Sequence, residues 1–221
     1  CALPISMDTI NTASQLASTT VYAGIAKDII IAISAVVTAV MAVRGLTAWS
    51  RELKGKSEYA KAKEVLKAVY RVREGFKHVR RPTIWQFEYP EEMIDSNGCL
   101  KREHDCEGTL HVYETRFKEL DEAFSGLEEQ TLDAQVEWGP EFENVIKPLR
   151  ECRAELMVTV HDFLEAKRTP HYNQGQTKEE RTKQLSVLYY GGPGSERDKF
   201  TPLIDKAIEE FEKRLRPRIK K

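Results

Sequence analysis

The sequence predicts a mainly α-helical fold, in which a single N-terminal transmembrane helix precedes a cytoplasmic bundle of the four-helix type. Two observations predict it: an uncharged apolar run near the N-terminus, and four later segments whose apolar residues recur at spacings of three and four. The average composition conceals this organisation, because 34 Lys and Arg against 35 Asp and Glu give a net charge of -1. With 31% charged and 41% hydrophobic residues, the composition excludes a multi-span membrane protein and a fully disordered chain. A near-neutral chain is also not expected to bind nucleic acid through its overall charge.

The first element is the apolar run at residues 29–43, which reads IIIAISAVVTAVMAV and carries no charge. Apolar neighbours extend it to residues 21–46, because Lys27 and Arg44 can place their charged ends among lipid headgroups. Tyr22 and Trp49 stand near its ends, where aromatic side chains favour the membrane interface. The run has no polar stripe of the kind found in a soluble amphipathic helix. It therefore predicts a transmembrane helix, with a buried core helix as the alternative.

The orientation follows from the basic residues on the two sides of the run. Residues 1–26 contain no Lys or Arg, whereas Arg44, Arg51, Lys54 and Lys56 follow closely. Cytoplasmic flanks carry such an excess, so residues 1–20 are predicted to be a short extracytoplasmic tail and residues 47–221 a cytoplasmic domain. The same four basic residues are predicted to contact lipid headgroups of the bacterial inner (plasma) membrane. A cleavable signal peptide is not predicted, since the basic charges follow the apolar run.

Small residues within the run suggest a contact between spans. Ser34, Thr38 and Ala42 are spaced by four, and small side chains at this spacing let two helices approach closely. We therefore expect this face to support self-association into a homo-oligomer.

Charge is unevenly distributed after the run. Residues 44–81 carry 12 basic and four acidic residues, residues 82–166 carry seven and 21, and residues 167–221 carry 14 and eight. These blocks either pair with one another within the fold or, for the first block, attract anionic lipid. The sequence leaves both interpretations open.

Four amphipathic segments follow, and each has an apolar stripe at helical spacing. The first is predicted at Ser57–Val79, with Gly55 as a joint before it. The second has its stripe from Leu110 to Trp138 and ends at Gly139-Pro140. The third is predicted over 141–166 with a kink at Pro148, and the fourth begins at Thr201-Pro202 and ends at Pro217.

Two long connectors lie between these helices, at about 82–108 and 168–200. Residues 83–89 alternate in polarity, and residues 185–190 (LSVLYY) form an apolar patch of strand length. An additional expectation is that these two stretches pair as a small two-strand ribbon over one end of the bundle.

The first connector contains the weak candidates for a metal site, Cys99, His104, Cys106 and His111. Zinc prefers four nitrogen or sulfur ligands, but this spacing is not that of a standard zinc motif. The more economical interpretation is a polar connector that contains these residues without binding metal, so no cofactor is predicted.

Carboxylates concentrate near the predicted hairpin of the second and third helices. A pair of such groups can perform acid–base chemistry or bind a divalent metal, although no His stands three residues after a Glu as a di-metal bundle requires. No phosphate loop, nucleophile elbow or metalloprotease motif is present in the sequence. The carboxylates considered are Asp121, Glu122, Glu128, Glu129, Glu137, Glu141 and Glu143.

The stretch GLTAWSRELKGK, which begins at Gly45 and leads into a helix ending near Arg81-Pro82, resembles a group of uncharacterised bacterial single-pass membrane proteins. The segment LDAQVEWGPEFENVIKPLRECRAEL is similar to their downstream hairpin. The resemblance covers about residues 45–220. It implies a membrane-anchored helical domain, and it implies no activity and no functional residues.

Three hypotheses of function follow from these patterns. The first is a non-enzymatic, membrane-anchored helical protein whose cytoplasmic bundle binds an unknown protein partner or self-associates. The second is a metal-dependent enzyme that uses the Cys99–His111 cluster or the acidic hairpin. The third is a membrane-acting effector that oligomerises through its span.

Overall fold

A computed structural model of the chain describes residues 7–169, 176–192 and 194–219, with side chains from residue 24 onward except that of Ala26. It contains five α-helices, namely α1 (Met7–Val79), α2 (Asp105–Trp138), α3 (Lys147–Arg168), α4 (Lys178–Leu188) and α5 (Thr201–Ile219). Short 3-10 helices lie at Gln86–Glu88, Glu91–Met93, Arg102–His104 and Pro140–Val145. Within these described ranges there is no β-strand, only an isolated bridge between Ile94 and Leu100. The mainly α-helical fold is confirmed.

The chain divides into two compact units, an N-terminal unit of residues 1–56 and a bundle unit of residues 57–221. The predicted boundaries at residues 20 and 46 are not tested by this division. Gly55, predicted to be a joint, lies inside α1.

The N-terminal unit carries the apolar run. The described part of α1 that starts at Lys27 is long and apolar enough to cross a membrane, with a mean hydropathy of 2.3 in its most apolar 18 residues. None of that window is buried, and Ile30, Val36 and Met41 each expose more than 60% of their surface. An exposed apolar helix of spanning length is therefore confirmed, whereas its place in a membrane stays a prediction. The side chain of Tyr22 lies outside the described side chains.

The bundle unit buries the apolar stripes that the sequence predicts. Stripe residues of α1 from Val65 to Val79 and of α2 from Tyr113 to Ala134 form the core with α3 and α5. Phe76 lies in this core, and its ring forms T-shaped pairs with the rings of Phe124 and Phe200 at centroid distances of 5.8 and 6.4 Å.

Contacts between the long helices of the bundle show three antiparallel pairs. These are α1 with α2, α2 with α3, and α1 with α5. The pairs that establish this are Lys61–Asp133 and His78–Glu119 for α1 and α2, Glu128–Arg150 and Asp105–Lys167 for α2 and α3, and Tyr70–Glu212 and Phe76–Phe200 for α1 and α5. For α2 and α3, the short connection at residues 139–146 produces this arrangement. The predicted helical bundle is confirmed.

The predicted two-strand ribbon is wrong. Residues 185–188 belong to α4, which begins with a capping box in which the Thr177 hydroxyl accepts from the Glu180 amide and the Glu180 carboxylate accepts from the Thr177 amide. This cap favours a helix over a strand in the following residues. Residues 86–88 form a 3-10 turn, held by Glu88, which the buried Arg116 binds.

Two of the predictions that rest on proline are also wrong, namely the kink at Pro148 and the end of the last helix at Pro217. Gly139, at a φ of 105°, and the 3-10 turn Pro140–Val145 delay the start of α3, so Pro148 stands in its first turn. Backbone amides in the first turn of a helix have no intrahelical acceptor, so a proline there removes no helix hydrogen bond. The helix therefore needs no kink. Pro217 does not end α5, which continues to Ile219.

Gly75 marks the closest approach of α1 to α2. A Cβ atom there would lie 2.9 Å from Cδ1 and 3.2 Å from Cα of Leu120, whereas a Cβ at Gly126 would meet no described atom within 4 Å beyond its chain neighbours and the nearby backbone of its own helix. We expect Gly75→Ala to lower the free energy of unfolding by about 1–2 kcal/mol through overpacking. Gly126→Ala should raise it by roughly 0.5–1 kcal/mol, because alanine is the better helix former. Denaturant unfolding of the detergent-solubilised chain, followed by near-UV circular dichroism, checks both; equal stabilisation by the two would contradict the close packing.

Candidate binding groove on the helical bundle

A groove of about 1150 Å³ lies over the outer face of α1 within the bundle unit. It extends from α2 on one side to the last described residue of α5 on the other. We call it the basic groove. Its apolar lining is Leu66, Tyr70, Gly75, Ala123 and Ile219; its basic lining is Lys63, Lys67, Arg71, Lys77, His78 and Arg81; and its acidic lining is Glu74, Glu119 and Glu122.

The periodicity of α1 positions the basic side chains. Because Ala62, Val65 and Val69 point into the core, residues at positions 63, 67 and 71 fall on the opposite, solvent-facing side. These three cations span about 12 Å along the helix at ~1.5 Å per residue. The pattern that builds the core therefore also builds a row of positive charge.

Some charges in the basic groove are neutralised within it. Lys77 Nζ lies 2.9 Å and Arg73 Nε 3.2 Å from Glu74 Oε1, and His78 Nε2 lies 3.6 Å from Glu119 Oε2. The hydrogen bond from Lys77 holds the pKa of Glu74 below its ordinary value.

The row at positions 63, 67 and 71 is different. Lys63, Lys67 and Arg71 form no ion pair with any carboxylate in the described ranges. Even with three carboxylates in its lining, the basic groove therefore presents a net positive charge beside an apolar surface, a combination that suits an anionic, partly apolar partner.

A buried arginine fixes the end of α1 next to the basic groove. Arg80 is 1% exposed. Its guanidinium donates to the carbonyls of Ser186, Val187 and Tyr189, to Thr201 Oγ1 and to Asp198 Oδ1, at 2.7–3.0 Å. The Tyr190 amide donates in turn to the Arg80 carbonyl at 2.7 Å, which places Tyr190 at the groove.

Asp198 completes this buried network. Its carboxylate accepts from the amides of Gly191, Phe200 and Thr201 and from the Thr201 hydroxyl. Burial alone would raise the pKa of Asp198, but the hydrogen bonds from Thr201, Gly191 and Arg80 outweigh it and hold that pKa at about 2.

This pKa predicts loss of stability in acid. A carboxyl group whose pKa is lowered by folding stabilises the protein above its unfolded pKa, 3.8 for Asp198, and loses that contribution as the pH falls toward 2. The contribution is about 2 kcal/mol. We expect the free energy of unfolding to fall between pH 5 and pH 2 more steeply in the native chain than in Asp198→Asn, measured by denaturant unfolding. Parallel curves for the two proteins would contradict the assignment.

A second buried arginine holds the first connector. Arg116 is 1% exposed and donates to Glu88 at 2.7 and 3.0 Å and to the carbonyls of Arg81 and Thr83 at 2.8 Å. Sequence reasoning missed both arginines. Arg116 carries a usable signal, because it falls on the buried stripe of α2 between Tyr113 and Leu120.

The structure does not bring the candidate metal ligands together. Cys99 is exposed, Cys106 is half-buried, and His104 Nδ1 lies 3.1 Å from Glu107 Oε2. His111 stands exposed on α2. In the described part of the chain, no group of three or more His, Cys, Asp or Glu side chains could hold a metal ion.

Most carboxylates of the hairpin face partners of opposite charge or hydroxyl groups. Asp121 pairs with Arg153, Glu128 and Glu143 with Arg150, and Glu137 with the Ser57 hydroxyl. Cys152, on α3, is buried, and burial raises the pKa of its thiol to about 11. A thiol of this kind packs as a small apolar group.

The residues predicted to act at a membrane are all exposed. They are Ser34, Thr38 and Ala42, predicted for self-association, and Arg44, Arg51, Lys54 and Lys56, predicted for headgroup contact. Lys56 Nζ lies 2.8 Å from Glu52, and the Ser34 and Thr38 hydroxyls donate to the carbonyls of Ile30 and Ser34. Their functional roles stay predictions.

Comparison of the chain with protein-family models, with curated proteins and with solved structures finds no match.

Proposed function

We propose that this chain is a non-enzymatic, single-pass protein of the bacterial inner membrane. Residues 21–46 anchor it, and the bundle unit lies in the cytoplasm, where it binds a protein partner or self-associates. The observation that carries the proposal is the apolar window of α1, none of which is buried.

Exposure of this window is costly in water. Ile30, Val36 and Met41 are 64%, 63% and 67% exposed, and each large aliphatic side chain gains about 1.5–3 kcal/mol when it leaves water. The bundle unit has its own core and does not use these side chains. A lipid bilayer shields all sides of such a helix from water.

The polar groups of the window suit hydrocarbon as well. The Ser34 and Thr38 hydroxyls each donate to a carbonyl four residues earlier, at 2.8 Å. Such bonds leave no unsatisfied donor in lipid. The cytoplasmic placement of the bundle unit rests on the basic residues that follow position 43, from Arg44 to Lys56.

The basic groove supports the binding role. Lys63, Lys67 and Arg71 form no ion pair with a described carboxylate, and they lie beside the apolar Leu66 and Tyr70. The buried charged groups Arg80, Asp198 and Arg116 instead complete networks that connect helices. This division of roles favours a binding protein over the metal-dependent enzyme, whose candidate ligands do not converge.

The membrane-acting effector stays the second candidate. Ser34, Thr38 and Ala42 form an exposed row on α1. The Ser34 and Thr38 hydroxyls are satisfied within the helix, so close approach of two spans would break no hydrogen bond. Unchanged permeability of cells that overproduce the chain would remove this candidate.

Extraction of bacterial membranes tests the anchor. We expect the chain to remain in the membrane pellet after washes with high salt and with alkaline carbonate, and to be released by detergent, because its attachment is apolar. Release by salt alone would show that the basic residues attach it to lipid headgroups, and it would overturn the single-pass proposal.

A further inference from the structure

We propose that the basic groove binds the outer face of α2 from a second copy of this chain, and that two copies form a symmetric dimer through their bundle units. This inference rests on the self-association named in the proposed function, and it assigns the surfaces that meet.

The outer face of α2 has an unusual composition for a solvent-facing helix. Glu122, Ser125, Glu129, Leu132 and Val136 recur at spacings of three and four, opposite the buried stripe. Leu132 is 62% and Val136 91% exposed. We call this face the acidic ridge. The neighbouring aliphatic side chains of Leu132 and Val136 are exposed to solvent, so association that buries them is favourable.

The charge on the acidic ridge is also uncompensated. Glu122 and Glu129 form no ion pair with a basic group in the part of the chain that the structure describes. Glu128 and Asp133, beside the ridge, are paired with Arg150 and Lys61. Of the two unpaired carboxylates, Glu129 points outward, whereas Glu122 lies at the border of the ridge and also lines the basic groove of its own copy.

The two surfaces match in chemistry. The basic groove offers a row of unpaired cations over about 12 Å beside Leu66 and Tyr70. The part of the acidic ridge from Glu129 to Val136, which also carries Leu132, extends over about 10 Å. Docking would bring opposite charges together and remove aliphatic surface from water on both sides.

The helix directions allow both contacts at once. Since α1 and α2 run antiparallel, a two-fold axis parallel to these helices places α2 of each copy over α1 of the other, antiparallel to it. The ridge of each copy then faces the groove of the other, which is an isologous contact that closes at two copies. Both halves of the contact are present on one chain, and this observation favours a second copy over a different acidic helix.

A charge exchange tests the pairing in the full-length chain. The chain is solubilised in dodecyl maltoside, and its dimer dissociation constant is measured by analytical ultracentrifugation. We expect Lys67→Glu and Glu129→Lys each to raise that constant at least tenfold, because each places like charges in contact. Combining the two substitutions should restore it to within about threefold of the native value. Lys206→Glu, an exposed site on α5, is the matched control and should leave it unchanged.

Other results would overturn the inference. A monomer at every concentration, or single variants that dimerise like the native chain, would exclude this contact. If both single variants weaken the dimer and the double variant does not restore it, direct pairing of Lys67 with Glu129 is excluded. Loss of dimer in Thr38→Ile together with normal dimer in Lys67→Glu would assign association to the span.

Val136→Asp, at an exposed site that folding does not use, should also prevent dimerisation. Failure of the membrane anchor would appear in the carbonate extraction and not in these measurements.

Discussion

Arg80→Met is expected to lower the free energy of unfolding of the bundle unit by about 3–5 kcal/mol. The guanidinium is 1% exposed and makes five hydrogen bonds that connect the end of α1 to α4 and to the start of α5. Its removal leaves the Asp198 carboxylate buried without its cation and leaves three carbonyls without that donor. Denaturant unfolding of the detergent-solubilised chain, followed by near-UV circular dichroism, measures the loss.

Two further variants make this result specific. Arg168→Met, at an arginine whose side chain is 76% exposed, should change the free energy of unfolding by less than about 0.5 kcal/mol. Arg80→Met combined with Asp198→Asn should recover part of the loss, because no uncompensated charge stays buried. A loss below 1 kcal/mol in Arg80→Met would show that the network does not hold the helices together.

Replacement of Val36 and Val40 by lysine is expected to remove the chain from the membrane fraction. A lysine at the centre of a spanning helix costs roughly 2.5–3.5 kcal/mol, and two on adjacent turns cannot both reach the headgroups easily. Both valines are at least 50% exposed and lie outside the core of the bundle unit. Membrane fractionation of cells that produce the double variant measures the effect.

The matched control for that experiment is the double leucine variant at the same positions. It keeps the helix apolar and should remain in the carbonate-washed pellet. Near-UV circular dichroism of the double lysine variant should match that of the native bundle, since the substitutions touch none of its core. A double lysine variant that stays in the washed pellet would contradict the assignment of α1 as a span.

The core of the bundle could be predicted from the sequence because periodicity alone determines which side of a helix is buried. Leu110 is the exception: the stripe predicts that it is buried, yet it is 42% exposed. The first connector explains the difference. Leu100 and Tyr89 pack against Gly108, so the start of α2 is covered on another face by a segment whose path the periodicity does not predict.

The connectors could not be predicted because buried charges determine their paths. Arg116 binds the carbonyls that follow α1, and Arg80 binds those at the end of α4. Arginine is expected on the surface, so apolar patterns in the connectors were interpreted as strands. The capping box at Thr177 and Glu180 was the local signal for α4.

The candidate metal ligands show that closeness in sequence does not predict closeness in the fold. Cys99, His104, Cys106 and His111 are close in sequence, but a turn and the start of α2 direct them to different surroundings, and His104 contacts Glu107. The basic groove, in contrast, combines residues that are far apart in the sequence. Its cations lie on α1 and its apolar lining comes partly from α2 and α5, so only the packing of the helices brings them together.

Protease accessibility of the bundle unit is the decisive test of the single-pass topology. An epitope tag is placed after Lys221, and trypsin is added to intact spheroplasts and to inverted inner-membrane vesicles of the same cells. We expect the tagged fragment to survive in spheroplasts and to be digested in inverted vesicles, because we propose that residues 47–221 lie in the cytoplasm. Digestion in intact spheroplasts would contradict that orientation, and recovery of the chain in the soluble fraction would contradict the anchor itself.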